Sequence, residues 1–209
     1  MRLIVITSDT TGENEQYILL SMLKSGLPTL HIRKPTYSTQ RLRKYLDGIP
    51  SEYHKRIVIH THHRMLLHYD LKGIHLTKMH KRKVFRNWLT QKLIAWKKSK
   101  CYTKSTVCNS ISSLVQNYHQ FDYMMLTPVF GESSEHKPAF SIGTLSEIVK
   151  KYPGKVIARG GTNIDSIARA KEIGFEGIAF QNCIWKDPDP LAQFQNIIKK
   201  YNELGLKVE

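Results

Sequence analysis

Short apolar runs recur along the chain, bounded by Gly, Pro or polar residues. Between them lie segments whose apolar positions return every three or four residues. Residues 3–7 read as a continuous apolar strand. Residues 13–25 have helical spacing, with Tyr17, Leu19, Leu20 and Leu23 facing inward and Gly26 ending the helix. Residues 29–32 form a second strand that runs into Arg33-Lys34-Pro35. Ser38 caps a helix carrying Leu42, Tyr45 and Leu46, which stops at Gly48-Ile49-Pro50. A third strand, 56–59, ends at His60; 65–67 suits a short helix, and 73–76 is a fourth strand. Between 79 and 100 the pattern suits a helix around 85–93 and a strand at 93–96.

The second half repeats the alternation. Residues 103–108 are a strand, Ser110 caps a helix with Ile111, Leu114 and Val115 inside, and 122–126 are a strand. A long polar loop covers 127–140, and loops of that length in compact domains usually serve function. A helix at 142–151 ends at Tyr152-Pro153-Gly154. Val156–Ala158 is then a short strand, Gly160-Gly161 a turn, and Thr162 or Asn163 the cap of a helix. That helix sets Ile164, Ile167, Ala168 and Ile173 on one face, with Gly174 as its stop. Residues 177–180 are a buried strand and 191–203 a closing helix. Strict alternation of strand and helix implies a parallel sheet. Eight such units in 209 residues fit a small (β/α)8 TIM barrel, read as a single domain over 1–209 with a basic insertion near 78–104. A doubly wound sheet is the runner-up; it lacks a G-x-G-x-x-G after the first strand.

Charge changes the picture in one region. The formal net charge is +15, and no Asp or Glu occurs from Leu71 to Phe121. Trp88, Trp96 and Tyr102 interleave with lysines there, a pattern that nucleic-acid surfaces share. A solvated basic face explains it more simply, so anionic small molecules are the expected partners and nucleic acid is not. No apolar run is long enough to span a membrane. The run at 3–6 is too short for a signal peptide, and Cys101, Cys108 and Cys183 form no C-x-x-C pair; together they suggest a cytoplasmic protein with reduced thiols. The sequence leaves a homodimer open.

On the barrel reading the strand ends form one rim. His31 and Arg33 share a strand side, Arg33 offering a fork for phosphate oxygens and Lys34 a point charge. Thr127-Pro128 is a rigid corner leading to Ser133, Ser134 and Lys137, a sensible diphosphate clamp. Gly160-Gly161 and the backbone at Gln181-Asn182 fall in the last two units, where barrels commonly bind phosphate. Seven of ten histidines, His54, His60, His62, His63, His68, His75 and His80, crowd one window. His60-Thr61-His62 could ligate a transition metal, although such a pair is more often structural or a general base.

Taken in order, LHIRKP, GIHL, DYMMLTPVF with SSEHK, VIARGGTNIDSI and GFEGIAF resemble the thiamine phosphate synthase family, which includes thiazole tautomerases. The resemblance implies a (β/α)8 barrel and phosphorylated pyrimidine and thiazole substrates, joined with release of diphosphate, with Mg²⁺ as cofactor; the alternatives are a thiazole tautomerase and a non-catalytic binder of phosphorylated thiamine precursors. It implies roles for Arg33 and Lys137 in holding the leaving diphosphate, with Ser133 and Ser134 beside them. Gly160-Gly161 and Gln181-Asn182 would bind phosphate. The chain departs from the pattern where the family keeps its metal-binding acids: His60-Thr61 stands after strand three and His80 after strand four. His31 replaces a Gln, and Pro35 stands where a second basic residue is expected, with Lys34 as the substitute. Val107 stands in place of the strand-five Ser, and Asn109, beside Cys108, in place of the tautomerase His.

Overall fold

Eight parallel strands pair in sequence order until the last closes on the first. The computed structural model describes residues 1–10, 12, 14–77, 84–97, 102–130 and 141–209. The strands are β1 (Arg2–Ile6), β2 (Thr29–Ile32), β3 (Ile57–Ile59), β4 (Gly73–Leu76), β5 (Thr103–Cys108), β6 (Tyr123–Leu126), β7 (Val156–Arg159) and β8 (Gly177–Phe180). Helices α1 (Glu15–Lys24), α2 (Thr39–Asp47), α3 (Val84–Lys97), α4 (Ile111–Asn117), α5 (Ile142–Lys151), α6 (Ser166–Ile173), α7 (Asn182–Trp185) and α8 (Pro190–Glu203) cover the outside. A turn of 3-10 helix at His63–Leu67 stands in for the helix between β3 and β4. This is the (β/α)8 barrel. Among the described residues no helix is long and apolar enough to cross a membrane.

Alternation along each strand divides the side chains into two sets. Leu3, Val5, Leu30, Ile32, Ile57, Ile59, Ile74 and Leu76 point outward into one large core shared with the helices. The inward set is split by chemistry. Ile4, Ile6, Met125, Ile157 and Ala179 make an apolar side. Opposite them the fully buried polar residues His31, His60, His75 and Ser105 fill the interior, with Tyr123 at the boundary between the two sides. Strand register places Ile6 beside His31, His75 beside Ser105 and Ser105 beside Tyr123.

Hydroxyl and carboxylate caps start α2, α4, α5 and α8. Ser38, Ser110 and Ser141 accept from Arg41, Ser113 and Thr144 N–H, each at 3.2 Å. Asp189 Oδ1 accepts from Leu191 and Ala192. Four helical expectations need correction. Residues 93–96 are not a strand; they continue α3, whose Ile94 is buried while Trp96 is exposed. Val115 is exposed on α4, where Leu114 is the residue that packs. The helix α6 begins at Ser166, whose N–H donates at 2.9 Å to Oδ1 of Asn163, one of the two expected caps. The buried face is therefore Ile167, Ala170 and Ile173, and Ala168 is exposed. Gly174 ends that helix at φ 95°, a conformation that glycine adopts without a Cβ penalty.

Tyr17 is 72% exposed because α1 is rotated to bury Glu15 instead. The reason is Lys34. Its side chain is fully buried, and its Nζ lies 2.6 Å from Glu15 Oε2, 2.8 Å from Ser8 O and 3.0 Å from Thr10 O. Burial raises the Glu15 pKa, against the attraction of Lys34. Lys34 therefore ties the β1–α1 loop to β2 and does not face the rim, where the sequence reading set it as a ligand for phosphate. Losing one member of a buried pair strands the other charge. Lys34→Met is expected to lose about 3–5 kcal/mol of stability in urea unfolding. Lys34→Met/Glu15→Leu should recover most of that loss.

Candidate functional site

The C-terminal ends of the strands open into a cavity of about 550 Å³, well inside the range of small-molecule sites. Its lining follows from the strand alternation. Arg33, His60, Thr77, Asn109, Thr127, Arg159 and Gln181 each lie two residues beyond an inward position of their strand, and all line the cavity. Gly160, Gly161 and Thr162 form one wall, with Asn182 adjacent. His75 joins His60 in the floor.

The Gly-Gly turn has a steric reason for its composition. Gly160 and Gly161 take φ 85° and 67°. A Cβ on Gly160 would stand 2.7 Å from Thr127 Oγ1 and 3.0 Å from Pro128 Cα. The strand-six corner is bound to this turn, since Val129 N–H donates to Arg159 O and Phe130 N–H to Gly160 O. Thr162 Oγ1 donates to Ala179 O at 2.8 Å, joining the turn to β8.

Two guanidiniums face the cavity, and its described lining contains no carboxylate. Arg33 Nη1 binds both oxygens of Asp9, 2.6 Å from Oδ2. Gln181 Nε2 donates to Thr7 O and to Asp9 Oδ1, while its Oε1 accepts from Arg159 Nη2 at 3.2 Å. Burial, and then Arg33, lower the Arg159 pKa to about 10, which leaves it cationic at neutral pH. The site is thus a polar chamber of positive potential suited to phosphorylated ligands.

The floor is part of an imidazole cluster, with His60 and His75 lining the cavity and His31 behind them. His31 Nδ1 lies 3.0 Å from His60 Nε2, and His31 Nε2 lies 2.6 Å from Tyr123 Oη. His75 Nδ1 lies 2.9 Å from Ser105 Oγ. The His60 and His75 rings stack with centroids 4.2 Å apart. Burial, reinforced by His75 and by the Arg159 cation, pushes the pKa of both His31 and His60 well below the ordinary 6.5, so both are neutral. Nitrogens of His31, His60 and His75 lie within 4.8 Å of one another, and these three residues could hold a metal ion.

Of the residues expected from sequence, the structure brings Arg33, His60, Thr127, Gly160, Gly161, Gln181 and Asn182 into one cavity. His31, expected to contact substrate, lies a layer deeper and fully buried. Lys34 is spent on Glu15. Ser133, Ser134 and Lys137, with Lys78 and His80, lie outside the described residues. Sequence reasoning missed Arg159 and Tyr123. The signal for Arg159 was available: it stands two residues after the inward Ile157, at the end of an apolar run.

The thiamine monophosphate synthase (TMP-TENI) family model matches residues 3–184. The solved thiamine phosphate pyrophosphorylase from Bacteroides thetaiotaomicron is 27% identical, covers 97% of this chain and 98% of its own, and superposes with a TM-score of 0.77. That from Pyrococcus furiosus is 16% identical over 97% of this chain and 96% of its own, with a TM-score of 0.76. The (S)-3-O-geranylgeranylglyceryl phosphate synthase from Thermoplasma acidophilum, 12% identical over 97% and 93%, shares the fold at a TM-score of 0.67. No curated protein matches the chain in sequence.

Gly160→Ala forces a left-handed backbone onto a Cβ, costing about 1–2 kcal/mol, and pushes the turn away from Thr127. Thermal unfolding should show a modest loss of stability, and calorimetry with inorganic phosphate a loss of binding. The neutral histidines predict a pH dependence of stability. Their folded pKa values lie below the unfolded one, so the unfolded chain takes up protons first as pH falls. Stability should be full above about pH 6.5 and fall below it, by at most about 2.7 kcal/mol per pH unit for two groups. Urea unfolding in chelator-containing buffer measures that slope, which should roughly halve in His60→Gln.

Proposed function

Because the chain belongs to the thiamine monophosphate synthase family, we propose that it couples an aminopyrimidine methyl diphosphate to a thiazole phosphate and releases diphosphate. The observation that carries this reading is the cavity itself. Two guanidiniums and a glycine turn stand together in a described lining without carboxylates, and the volume of about 550 Å³ suits a small phosphorylated ligand pair.

In this reading the thiazole phosphate rests against Gly160-Gly161, Gln181 and Asn182, and the pyrimidine diphosphate lies toward Arg33 and Arg159. The bond between the pyrimidine methylene carbon and the diphosphate oxygen breaks, and its electron pair leaves with diphosphate. The thiazole nitrogen then attacks the resonance-stabilised methylene cation. Such a dissociative step needs positioning and charge stabilisation more than a strong base. Arg33 and Arg159 stabilise the negative charge that grows on the leaving group. Lys137, Ser133 and Ser134 would add to it from the strand-six loop.

The family resemblance implies Mg²⁺, and the residues present do not fit it. Mg²⁺ takes oxygen donors in octahedral geometry. The described lining offers no carboxylate, and Asp9 at the mouth is engaged by Arg33 and Gln181. No step is assigned to Mg²⁺.

A second reading, thiazole tautomerase, is favoured by one observation. Neutral His60 faces the cavity and is hydrogen-bonded through His31 to Tyr123, so it can accept a proton and pass one inward. One set of assays separates the readings. Incubation of both phosphorylated substrates should yield thiamine phosphate. Arg33→Gln or Arg159→Gln should lower kcat/KM by about 10²–10³-fold, with a smaller effect in His60→Gln. Absence of product with Mg²⁺, Mn²⁺ or Zn²⁺ would overturn the synthase reading. Solvent hydrogen exchange into the thiazole, lost in His60→Gln, would establish the other.

A further inference from the structure

The buried histidines have more order than a phosphate site requires. His31, His60 and His75 come from β2, the end of β3 and β4, three neighbouring strands, and each occupies an inward position. Their side chains are 0%, 2% and 1% exposed. Imidazole is an expensive group to bury, and three side by side in a barrel interior call for a reason beyond packing.

We propose that His31, His60 and His75 form a three-histidine centre for a divalent transition metal of the zinc class, set in the cavity floor with one coordination position open to the cavity. The donor set is the first argument. Neutral imidazole suits Zn²⁺, Co²⁺, Ni²⁺ and Cu²⁺ and is a poor ligand for Mg²⁺. Geometry is the second. A tetrahedral ion with metal–nitrogen bonds of about 2.0–2.1 Å needs nitrogens about 3.3 Å apart. His31 Nδ1 and His60 Nε2 already stand 3.0 Å apart, and the three candidate donor atoms span no more than 4.8 Å. Closing the remainder requires the stacked His60 and His75 rings to turn so that their lone pairs converge.

The surrounding hydrogen bonds are the third argument. Histidines that ligate metals usually donate their other N–H to a fixed partner, which sets the tautomer. Tyr123 Oη lies 2.6 Å from His31 Nε2 and Ser105 Oγ lies 2.9 Å from His75 Nδ1. Assigning protons to those two nitrogens leaves His31 Nδ1 and His75 Nε2 with lone pairs. Ser105 and Tyr123 are register partners on β5 and β6, so the two outer partners stand side by side. With those assignments His60 Nε2–H would donate to His31 Nδ1, 3.0 Å away, in the metal-free chain. Binding requires only that this proton move to His60 Nδ1, with no net change in charge. His60 and His75 line the cavity while His31 does not, so the fourth position faces the chamber that holds the guanidiniums.

The test uses the untagged full-length chain, stripped with chelator, and involves no substrate; its outcome is therefore independent of the synthase and tautomerase readings. Titration with Co²⁺ should give one equivalent and the visible absorption of a four-coordinate nitrogen-rich site, and Zn²⁺ should displace it. Calorimetry with Zn²⁺ should give one tight site unaffected by millimolar Mg²⁺. His60→Gln and His75→Gln should weaken Zn²⁺ at least 100-fold, while His119→Gln on the surface leaves it unchanged. Tyr123→Phe, which keeps the ring and removes the hydroxyl, should weaken it about 10–100-fold. Histidine variants that fail to fold do not disable the test, because the Co²⁺ spectrum and stoichiometry come from the unaltered chain. A wild-type chain with no site, with a featureless octahedral spectrum, or with binding that survives in His60→Gln overturns the proposal.

Discussion

Closure of eight parallel strands imposes an alternation on the strand side chains. Residues of one parity go to the helices and those of the other meet inside the ring. Once Ile6 is beside His31 and His75 beside Ser105, the interior layer is settled around the whole circumference. The same parity carried two residues further sets the rim: His31 leads to Arg33, His75 to Thr77, Ile157 to Arg159 and Ala179 to Gln181. Floor and walls of the cavity are consecutive layers of one register. A slip of one residue in any strand would exchange its cavity residue for an outward one.

The polar half of the interior has to pair its buried polar groups. It does so by pairing ring to ring and ring to hydroxyl: His60 to His31, His31 to Tyr123, His75 to Ser105. A second buried contact supports the rim from outside the barrel. Lys34 clamps the carbonyls of Ser8 and Thr10 and is neutralised by Glu15. Asp9, between those two carbonyls, is thereby presented to Arg33. The lysine that looked like a ligand acts one step removed, by fixing the loop whose carboxylate orients the guanidinium.

Period and punctuation carried most of the architecture in the sequence. Residues 103–108 and 177–180 read as strands with the observed ends, and Ser38 and Ser110 cap as their position before an apolar-periodic run suggests. The failures have physical causes. Tyr17 and Glu15, two residues apart, lie on opposite sides of α1, and the distant Lys34 explains why the side with the acid is inside. Residues 93–96 are apolar enough for a strand, and tertiary packing of Ile94 within a continuous helix overrides that local pattern. At the site, single residues at strand ends were legible because a charged or glycine residue after an apolar run is conspicuous. The histidine centre was not, since its members are 29 and 15 residues apart and become neighbours only through strand order.

Charge balance connects the two layers. A cavity with two guanidiniums and no described acid in its lining would repel itself were Asp9 not placed against Arg33. Asp9 takes the fork that an incoming phosphate would use, so ligand binding exchanges one charge-assisted pair for another rather than adding a new one. Arg159 differs. Its partner is the neutral Gln181 Oε1, and it keeps its charge despite burial. The stronger pull on an anion therefore comes from the β7–β8 side, next to the glycine turn. On the β2–β4 side, neutral imidazoles stand where the family pattern has acids. What that side adds to the site is nitrogen lone pairs in place of negative charge.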